Sequence, residues 1–493
     1  MTTETATQLD LPAELVLLIL RGLGVADVLN VSRSSSALRS LILSNPSAWV
    51  HACDAYTLPL PAGESPRSVP ASLLPYFAAR AVSISALFCS SRSTAPSPLT
   101  ILHPRGAGET PVLASTCIYS QLGTLPPNVL TVLPGGRTLL VGHIGPGRPM
   151  QLGVYGIGAR GKPEGQWQYL LVDPVSTRFD PPQKGGDHAV DWASIPGDAD
   201  GVRIAVLQNR YDEKRDLRCC AEVFRLDFTP GKAAPQVQRS HSIELPFCAE
   251  GICVRGSLVM GYSANGLALI DLDTMRRICW IVGANSEHQR GSWPSETIAA
   301  TLDLCTRRIV LAINSGAVCC TRTVSSLPIP DPRDACWGSD WNFCALDLST
   351  HCDETTSCTL PATPLTRPIA QTGATHRLFH NDEGEVQLLT TSQDRRHAFV
   401  SAPKSGAQSS TCMITQDVVS CSRSSFHHLS IIATSASPSS LVDVYFPGRD
   451  VRLKLNLCSA DVSVPEGRNL VVVDDIYGLA VVCARQRLFV FQY

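Results

Sequence analysis

Cysteine and histidine are the side chains here best suited to chemistry, and one stretch gathers them: Cys336, Cys344, His351, Cys352 and Cys358. Thiolates and imidazoles hold structural zinc, usually from pairs spaced two to four residues apart. None of these five makes such a C-x₂₋₄-C pair, so the group reads as buried or loop thiols. His427 and His428 are adjacent, and neighbours in a strand point to opposite faces, so they do not easily share one metal. Asp474-Asp475 precedes an apolar run. Paired carboxylates can do acid–base work, but this placement reads as a turn or edge with solvated carboxylates. Gly106-x-Gly108 and Gly145-x-Gly147 lack the strand-to-helix context of a phosphate-cradling loop, and Gly135-Gly136 reads as a turn. The seven tryptophans are too dispersed to form a binding cage. No catalytic, cofactor-binding or metal residue is expected, and no cofactor.

If the chain does no covalent chemistry of its own, its elements must serve recognition. Its 493 residues suffice for two or three domains, or for one large repeat array with an appendage. Hydrophobic residues make up 44% and charged ones 17%, which provides a core and argues against a disordered scaffold. A net charge of -2 without a Lys/Arg cluster points away from nucleic acid and anionic membranes, leaving a protein or small molecule as partner. The polar stretch 1–10, with Glu4 and Asp10, lacks the cationic start and apolar core of a secretory signal. Leu15 to Leu20 is too short to cross a bilayer, and no other candidate span stands out. A cytoplasmic or nuclear location is therefore expected. The 19 cysteines are odd in number and scattered through strand-like segments such as Cys219-Cys220 and Cys319-Cys320. They read as small buried hydrophobes.

The N-terminal residues read as three short helices. Asp10 can cap a first helix whose opening turn holds Pro12 and Glu14. Leu15, Leu18 and Ile19 fall on one face, and Gly22 and Gly24 end the helix. Asp27 lies near the start of a second helix that turns Val28, Val31 and Leu29 inward. A third carries Leu38, Leu41 and Ile42, stops near Asn45-Pro46 and is followed by Trp49. So small a unit buries little surface alone, and apolar faces left over on it imply a partner that covers them.

Leu11-Pro12-x-Glu14-Leu15, Ile19-Leu20, Leu23, Asp27-Val28-Leu29, Val31-Ser32-Arg33, Leu38-Arg39, Leu41 and Trp49 together resemble an F-box, in register from Leu9 to Tyr56. The resemblance is to the F-box proteins that occur in large numbers in mushroom-forming fungi. Ser34-Ser35-Ser36 departs from it, standing where the family usually carries basic residues. The resemblance implies a Skp-type adaptor as partner and, through it, a cullin scaffold. It also implies that Leu11, Pro12, Leu15, Ile19, Leu20, Val28 and Leu29 form the adaptor-binding surface, although core packing is the competing reading for each.

Residues 57–110 read as a connector. Thr57 to Pro70 is a Pro/Gly-rich linker or surface loop, and Leu73 to Phe88 has helical periodicity through Leu74, Phe77, Ala81 and Ile84. Ser90 to Gly108 is a flexible Ser/Pro/Thr stretch. From 111 to 493 helical periodicity nearly disappears and hairpin-like units recur. They run Thr138 to Tyr155, Val202 to Leu226, Ser257 to Leu272 through Asn265-Gly266, Arg308 to Cys320, Val386 to Val400, Leu429 to Phe446 and Gly478 to Gln492. Seven units spaced roughly 40–80 residues apart match the blades of a propeller. The expected fold class is therefore a small all-α F-box (9–56), then a mainly-β domain, a seven-bladed WD-like β-propeller whose last strands help close the ring. The WD dipeptide itself is absent. The function implied is the substrate-recognition subunit of a Skp–cullin–F-box ubiquitin ligase. The alternatives are an F-box/propeller scaffold outside a ligase and, more remotely, a propeller enzyme such as a copper oxidase or glycan hydrolase.

Overall fold

A computed structural model of the chain describes residues 11–61, 64–89, 101–102, 116–117, 129–136, 138–143, 151–157, 163–172, 190–194, 201–211, 217–228, 235–263, 266–282, 296–304, 307–315, 321–346, 354–359, 375–380, 386–391, 398–402, 410–414, 418–423, 429–434, 441–446, 451–456, 458–459, 462–463, 470–484 and 487–493. Helices come first and a mainly-β domain of several sheets follows. The helices are α1 (Ala13–Leu20), α2 (Val25–Ser34), α3 (Ser36–Ser44), the single turn α4 (Ser47–Val50) and the longer α5 (Leu74–Cys89).

Among the described residues the strands form seven larger sheets, spanning 129–172, 190–245, 251–282, 296–359, 375–414, 418–456 and 470–492, and one two-stranded hairpin at 458–463. Within each larger sheet, strands consecutive in the chain pair antiparallel. Three sheets take a strand from elsewhere. Asn342–Leu346, which lies between two strands of the fourth sheet, adds parallel to Arg277–Val282 of the third. Ile101–Leu102 adds parallel to Val451–Asn456 of the sixth. In the seventh, Thr116 and Cys117 pair antiparallel with Leu488 and Arg487, so residues preceding the first sheet complete the last.

The strand period explains how the core is distributed. In Gly266–Asp271 every residue is buried. Ala268 and Ile270 point to the second sheet, while Leu267 and Leu269 point to the fourth, as the two-residue alternation of a strand buried on both faces requires. The seventh sheet behaves likewise: Val471, Val473, Val482 and Phe491 pack with the sixth, and Val472, Val481 and Val490 pack with the first. Shared cores also join the first to the second sheet and the fourth to the fifth.

Several sequence expectations change. The third-sheet hairpin exists, but Ser263 pairs with Gly266, so Gly266 opens the strand instead of sharing the turn's two central positions with Asn265. The preceding tight turn has a positive φ at Gly256. Residues 57–70 are no free linker: Leu58, Leu60 and Val69 are buried in one core with Val28, Ile42, Trp49 and α5. The boundary placed at 56/57 therefore cuts through a packed unit, and the connector's Ile101–Leu102 belongs to a sheet. The expectation that no other stretch could span a bilayer also fails. Ala71–Phe88 is long and apolar enough by length and composition. Leu74, Ala78 and Ala81 pack with the helices and Ile84 and Phe88 with the seventh sheet, while Leu73 and Tyr76 are exposed.

Candidate docking site

α1 starts just after Pro12, whose own backbone is not helical. The Pro12 carbonyl accepts hydrogen bonds from the Leu15 and Val16 amides at 2.9 and 3.2 Å, so Pro12 stands one position ahead of the helix, not within its first turn. Asp10, expected as the cap, lies outside the described residues. The helix ends at Arg21, followed by Gly22 at φ +85°, a left-handed conformation that suits glycine. Gly24 belongs to the next element, as the residue preceding α2. There the Val25 amide donates to the Asp54 carboxylate at 2.6 Å, so Asp54 caps α2 from 29 residues away. The Gly22 amide donates to the His51 carbonyl and the Cys53 amide to the Leu23 carbonyl, holding the α1–α2 link against the end of α4.

α1 is apolar nearly all round, and the tertiary structure divides its sides. Val16, Leu17 and Leu20 pack into the helical core. Leu11, Leu15, Leu18 and Ile19 face outward at 41%, 46%, 58% and 63% exposure. An uncovered stripe of this kind marks a surface built to be covered. Removing what remains of each such side chain from water would contribute about 1 kcal/mol.

Of the residues expected to bind an adaptor, Leu11, Pro12, Leu15 and Ile19 lie together on this exposed side. Leu20, Val28 and Leu29 do not: they are buried at 3%, 0% and 4% exposure, sealed in the module's own core. Both faces of α1 satisfy the same helical spacing, so spacing alone could not tell them apart. Leu18 is the residue that the sequence reading left out of the surface. Its i, i+3 and i+7 relation to Leu15 and Leu11 was the available signal.

The module is seated on the seventh sheet, against the core that sheet shares with the sixth and beside a turn of the first. Ile84 and Phe88 of α5 pack with Val471, Val473, Phe491 and Tyr493. The Tyr477 hydroxyl accepts from the Gly135 amide at 2.7 Å and donates to the Leu60 carbonyl at 3.3 Å. Burial above all raises the Tyr477 phenol's pKa, and the nearby Asp474 adds to this. Gly135 and Gly136 form the expected turn, both at positive φ. Asp474 and Asp475 are in a turn too, but buried instead of solvated. Asp474 Oδ1 accepts from the amides of Ile476 and Tyr477, both at 3.0 Å, closing the turn from within. A cavity of about 310 Å³ opens between α2, α5 and this turn, with Asp54 and Asp475 in its wall.

Of the remaining candidates for chemistry, only Cys336 and Cys344 have described side chains. Cys336 and Cys344 are half-buried against the core shared by the third and fourth sheets. His351, Cys352, His427, His428, Gly106, Gly108, Gly145 and Gly147 lie outside the described residues, and the Cys358 side chain is not described. Among the described residues no three His, Cys, Asp or Glu side chains are grouped to hold a metal. Nine described cysteines form no disulfide, and of these Cys219, Cys253, Cys279 and Cys483 are buried.

No family model matches the chain, and no curated protein matches it. Solved structures do. The chain is similar to the WD40 domain of SCAP from fission yeast, with 10% identity over 74% of this chain and 84% of that one, at a TM-score of 0.38. It is similar to Chaetomium thermophilum Sqt1, solved bound to the N-terminus of ribosomal protein L10, with 12% identity, the same two coverages and a TM-score of 0.40. A third is the Malassezia sympodialis major allergen Mala s 1, with 9% identity over 66% of this chain and 91% of that one, at 0.37.

Proposed function

We propose that this chain is the receptor subunit of a Skp–cullin–F-box ubiquitin ligase. Its helical module acts as the F-box that docks on the adaptor, and its sheet domain is a seven-bladed, WD-like propeller that holds a target protein. One observation carries the reading: the stripe of Leu11, Leu15, Leu18 and Ile19 is uncovered on a helix whose other side packs into the core through Val16, Leu17 and Leu20. The F-box resemblance of residues 9–56 supports the identity of the partner. The propeller reading is supported by the chain-order meander of each sheet, the core shared by the seventh and first sheets, and the completion of the seventh by Thr116–Cys117.

In this reading the chain makes and breaks no covalent bond. It raises the local concentration of target lysines beside a charged conjugating enzyme, which turns a bimolecular encounter into an effectively intramolecular one. The test is co-purification of the wild-type chain with a Skp-type adaptor, set beside Leu11→Asp/Pro12→Ala and Leu15→Asp/Ile19→Asp. Micromolar or tighter binding is expected for wild type and none for either double variant. A wild-type chain that ignores the adaptor removes the ligase reading.

A further inference from the structure

We propose that the outer edge of the strand Asn342–Leu346 is a second docking site, which takes an extended peptide segment of another protein by strand addition. This site is independent of α1 and does not require the ligase reading.

After Pro328 the chain leaves the fourth sheet and crosses back over the third, where many contacts fix it. Trp337 is buried in the core shared by the two sheets. The backbones of Gly338 and Arg277 exchange two hydrogen bonds, at 2.8 and 3.0 Å. The Arg276 guanidinium donates to the carbonyls of Pro332 and Trp337 at 2.5 and 2.7 Å. The Asn342 side-chain Nδ2 donates to the Cys336 carbonyl at 2.8 Å and the Trp341 indole to the Glu244 carbonyl at 3.1 Å. The Arg277 guanidinium lies 5.8 Å from the centre of the Trp341 ring. The strand that follows is thus held in place before any ligand arrives, which lowers the ordering cost of binding.

Residues 342–346 then pair in parallel with 278–282, Ile278 against Asn342 through Val282 against Leu346. Among the described residues no strand pairs with the far side. A strand edge presents backbone donors and acceptors that another extended chain can match, and proteins usually guard such edges with charge, proline or a covering segment. The outer strand of the second sheet, Gln236–Leu245, carries Arg239, His241 and Glu244. The outer strands of the sixth and seventh sheets are covered by Ile101–Leu102 and Thr116–Cys117. Asn342–Leu346 reads Asn-Phe-Cys-Ala-Leu, with no charge and no proline. Its Phe343 is 57% exposed, and Ile281 on the neighbouring strand is 41% exposed. By the parallel register Phe343 and Ile281 lie on one face of the sheet. An incoming strand would therefore meet a backbone edge beside an aromatic anchor, the usual form of peptide capture by strand addition.

Size decides between a peptide and a second copy of the chain. Five residues at about 3.3 Å each make a seam of about 16 Å, too short to supply the roughly 800 Å² per partner of a stable dimer. It suits a short segment whose side chains alternate between apolar and polar.

The test pans the full-length chain against a displayed library of random eight-residue peptides. Enriched peptides are then resynthesised for titration and for amide exchange. The expected result is peptides of alternating apolar pattern that slow exchange across 342–346. Phe343→Ala should weaken them by about tenfold or more and Ile281→Ala by less. Leu15→Asp on α1 should leave them unchanged. Unchanged melting of Phe343→Ala would show that its loss of binding is not loss of fold. Three outcomes overturn the proposal: no peptide enriched, peptides that protect residues elsewhere or bind Phe343→Ala as well as wild type, or self-association of the wild type that Phe343→Ala abolishes.

Discussion

The hydroxyl of Tyr477 stands between the amide of Gly135 and the carbonyl of Leu60, accepting from one at 2.7 Å and donating to the other at 3.3 Å. One buried side chain of the last sheet thus ties the first sheet to the helical module. Tyr477→Phe would leave a buried donor and a buried acceptor unmatched, at a cost of about 1–3 kcal/mol. Because α5 shares cores with both the helices and the seventh sheet, the loss should shift one cooperative unfolding transition reported alike by both parts. Circular dichroism for the helices and Trp fluorescence for the sheets give the check. If the helical signal melts apart from the sheets in wild type, the two parts are not joined as described.

Two glycines allow backbone strain and steric clash to be separated. Gly136 has φ +65°, and a Cβ built there would lie 2.6 Å from Cγ of Tyr477. Gly22 has φ +85° with nothing within 4 Å. Gly22→Ala should therefore cost only the left-handed backbone, about 1–2 kcal/mol. Gly136→Ala should cost roughly twice as much, because the Tyr477 ring must move and release Leu60. Denaturant midpoints of the two variants measure the difference, and equal losses would mean that the ring gives way freely.

What the sequence made legible was the middle of each sheet. Six of the seven hairpin-like units coincide with the second and third strands of a larger sheet, as Val386 to Val400 does, and the unit Arg308 to Cys320 holds only the second strand of the fourth sheet, Arg308–Ser315. Where its side chains are described, as in Gly266–Asp271, such a strand is buried on both faces and so is rich in apolar residues. The innermost and outermost strands were not legible. Val190–Ser194 carries Asp191 and Trp192, Gln236–Leu245 is mostly exposed, and Thr116–Cys117 is too short to signal a pairing with residues some 370 positions away. In α1 the apolar spacing was legible, but the division of its two sides was not, since only packing into the helical core decides which side is covered. Asp474 misled for a similar reason: an Asp beginning a turn is usually solvated, and here it is buried and closes the turn from within.

Asp191 and Arg255 test what holds the second sheet to the third. Arg255 Nη1 lies 2.8 Å from Asp191 Oδ2, which also accepts from the Val254 amide at 2.8 Å. Burial works against the Arg255 charge, but the Asp191 carboxylate more than offsets this and lifts the guanidinium above its ordinary range. The two side chains are only 10% and 16% exposed. Asp191→Ala should therefore cost about 3–5 kcal/mol by leaving a buried cation unpaired. Asp191→Ala/Arg255→Met should recover much of that loss, and no recovery in thermal unfolding would mean that the carboxylate acts mainly through the Val254 amide.

The buried thiols predict weakness in alkali. Burial pushes Cys219 up to about 12 and Cys279 up to about 11 from an ordinary 9.0. The folded value is the higher one, so their contribution is intact below the unfolded pKa. It is lost as the pH rises from there towards the folded values, because the unfolded thiols ionise first. Each group can add up to about 1.4 kcal/mol of lost stability per pH unit in that window. Cys219→Ala should flatten the fall in unfolding free energy by about one proton. Alkylation mapped by mass spectrometry offers a parallel check, with exposed Cys53 and Cys248 labelled long before Cys219 and Cys279.

The two sides of α1 should part docking from folding. Leu20 and Val28 are 3% and 0% exposed, so Leu20→Ala should cost about 2–5 kcal/mol and Val28→Ala somewhat less, through the cavities they leave. Leu15→Ser and Ile19→Ser remove side chains that are half-exposed or more. They should move stability by little more than about 0.5 kcal/mol while abolishing adaptor binding. The pattern to look for in paired melting and co-purification is a full-length chain that melts like wild type and no longer finds its partner. If Leu15→Ser or Ile19→Ser instead unfolds the module, the stripe is needed for folding and its exposure does not mark a docking face. If both variants fold and still bind, the adaptor is held by some surface other than α1.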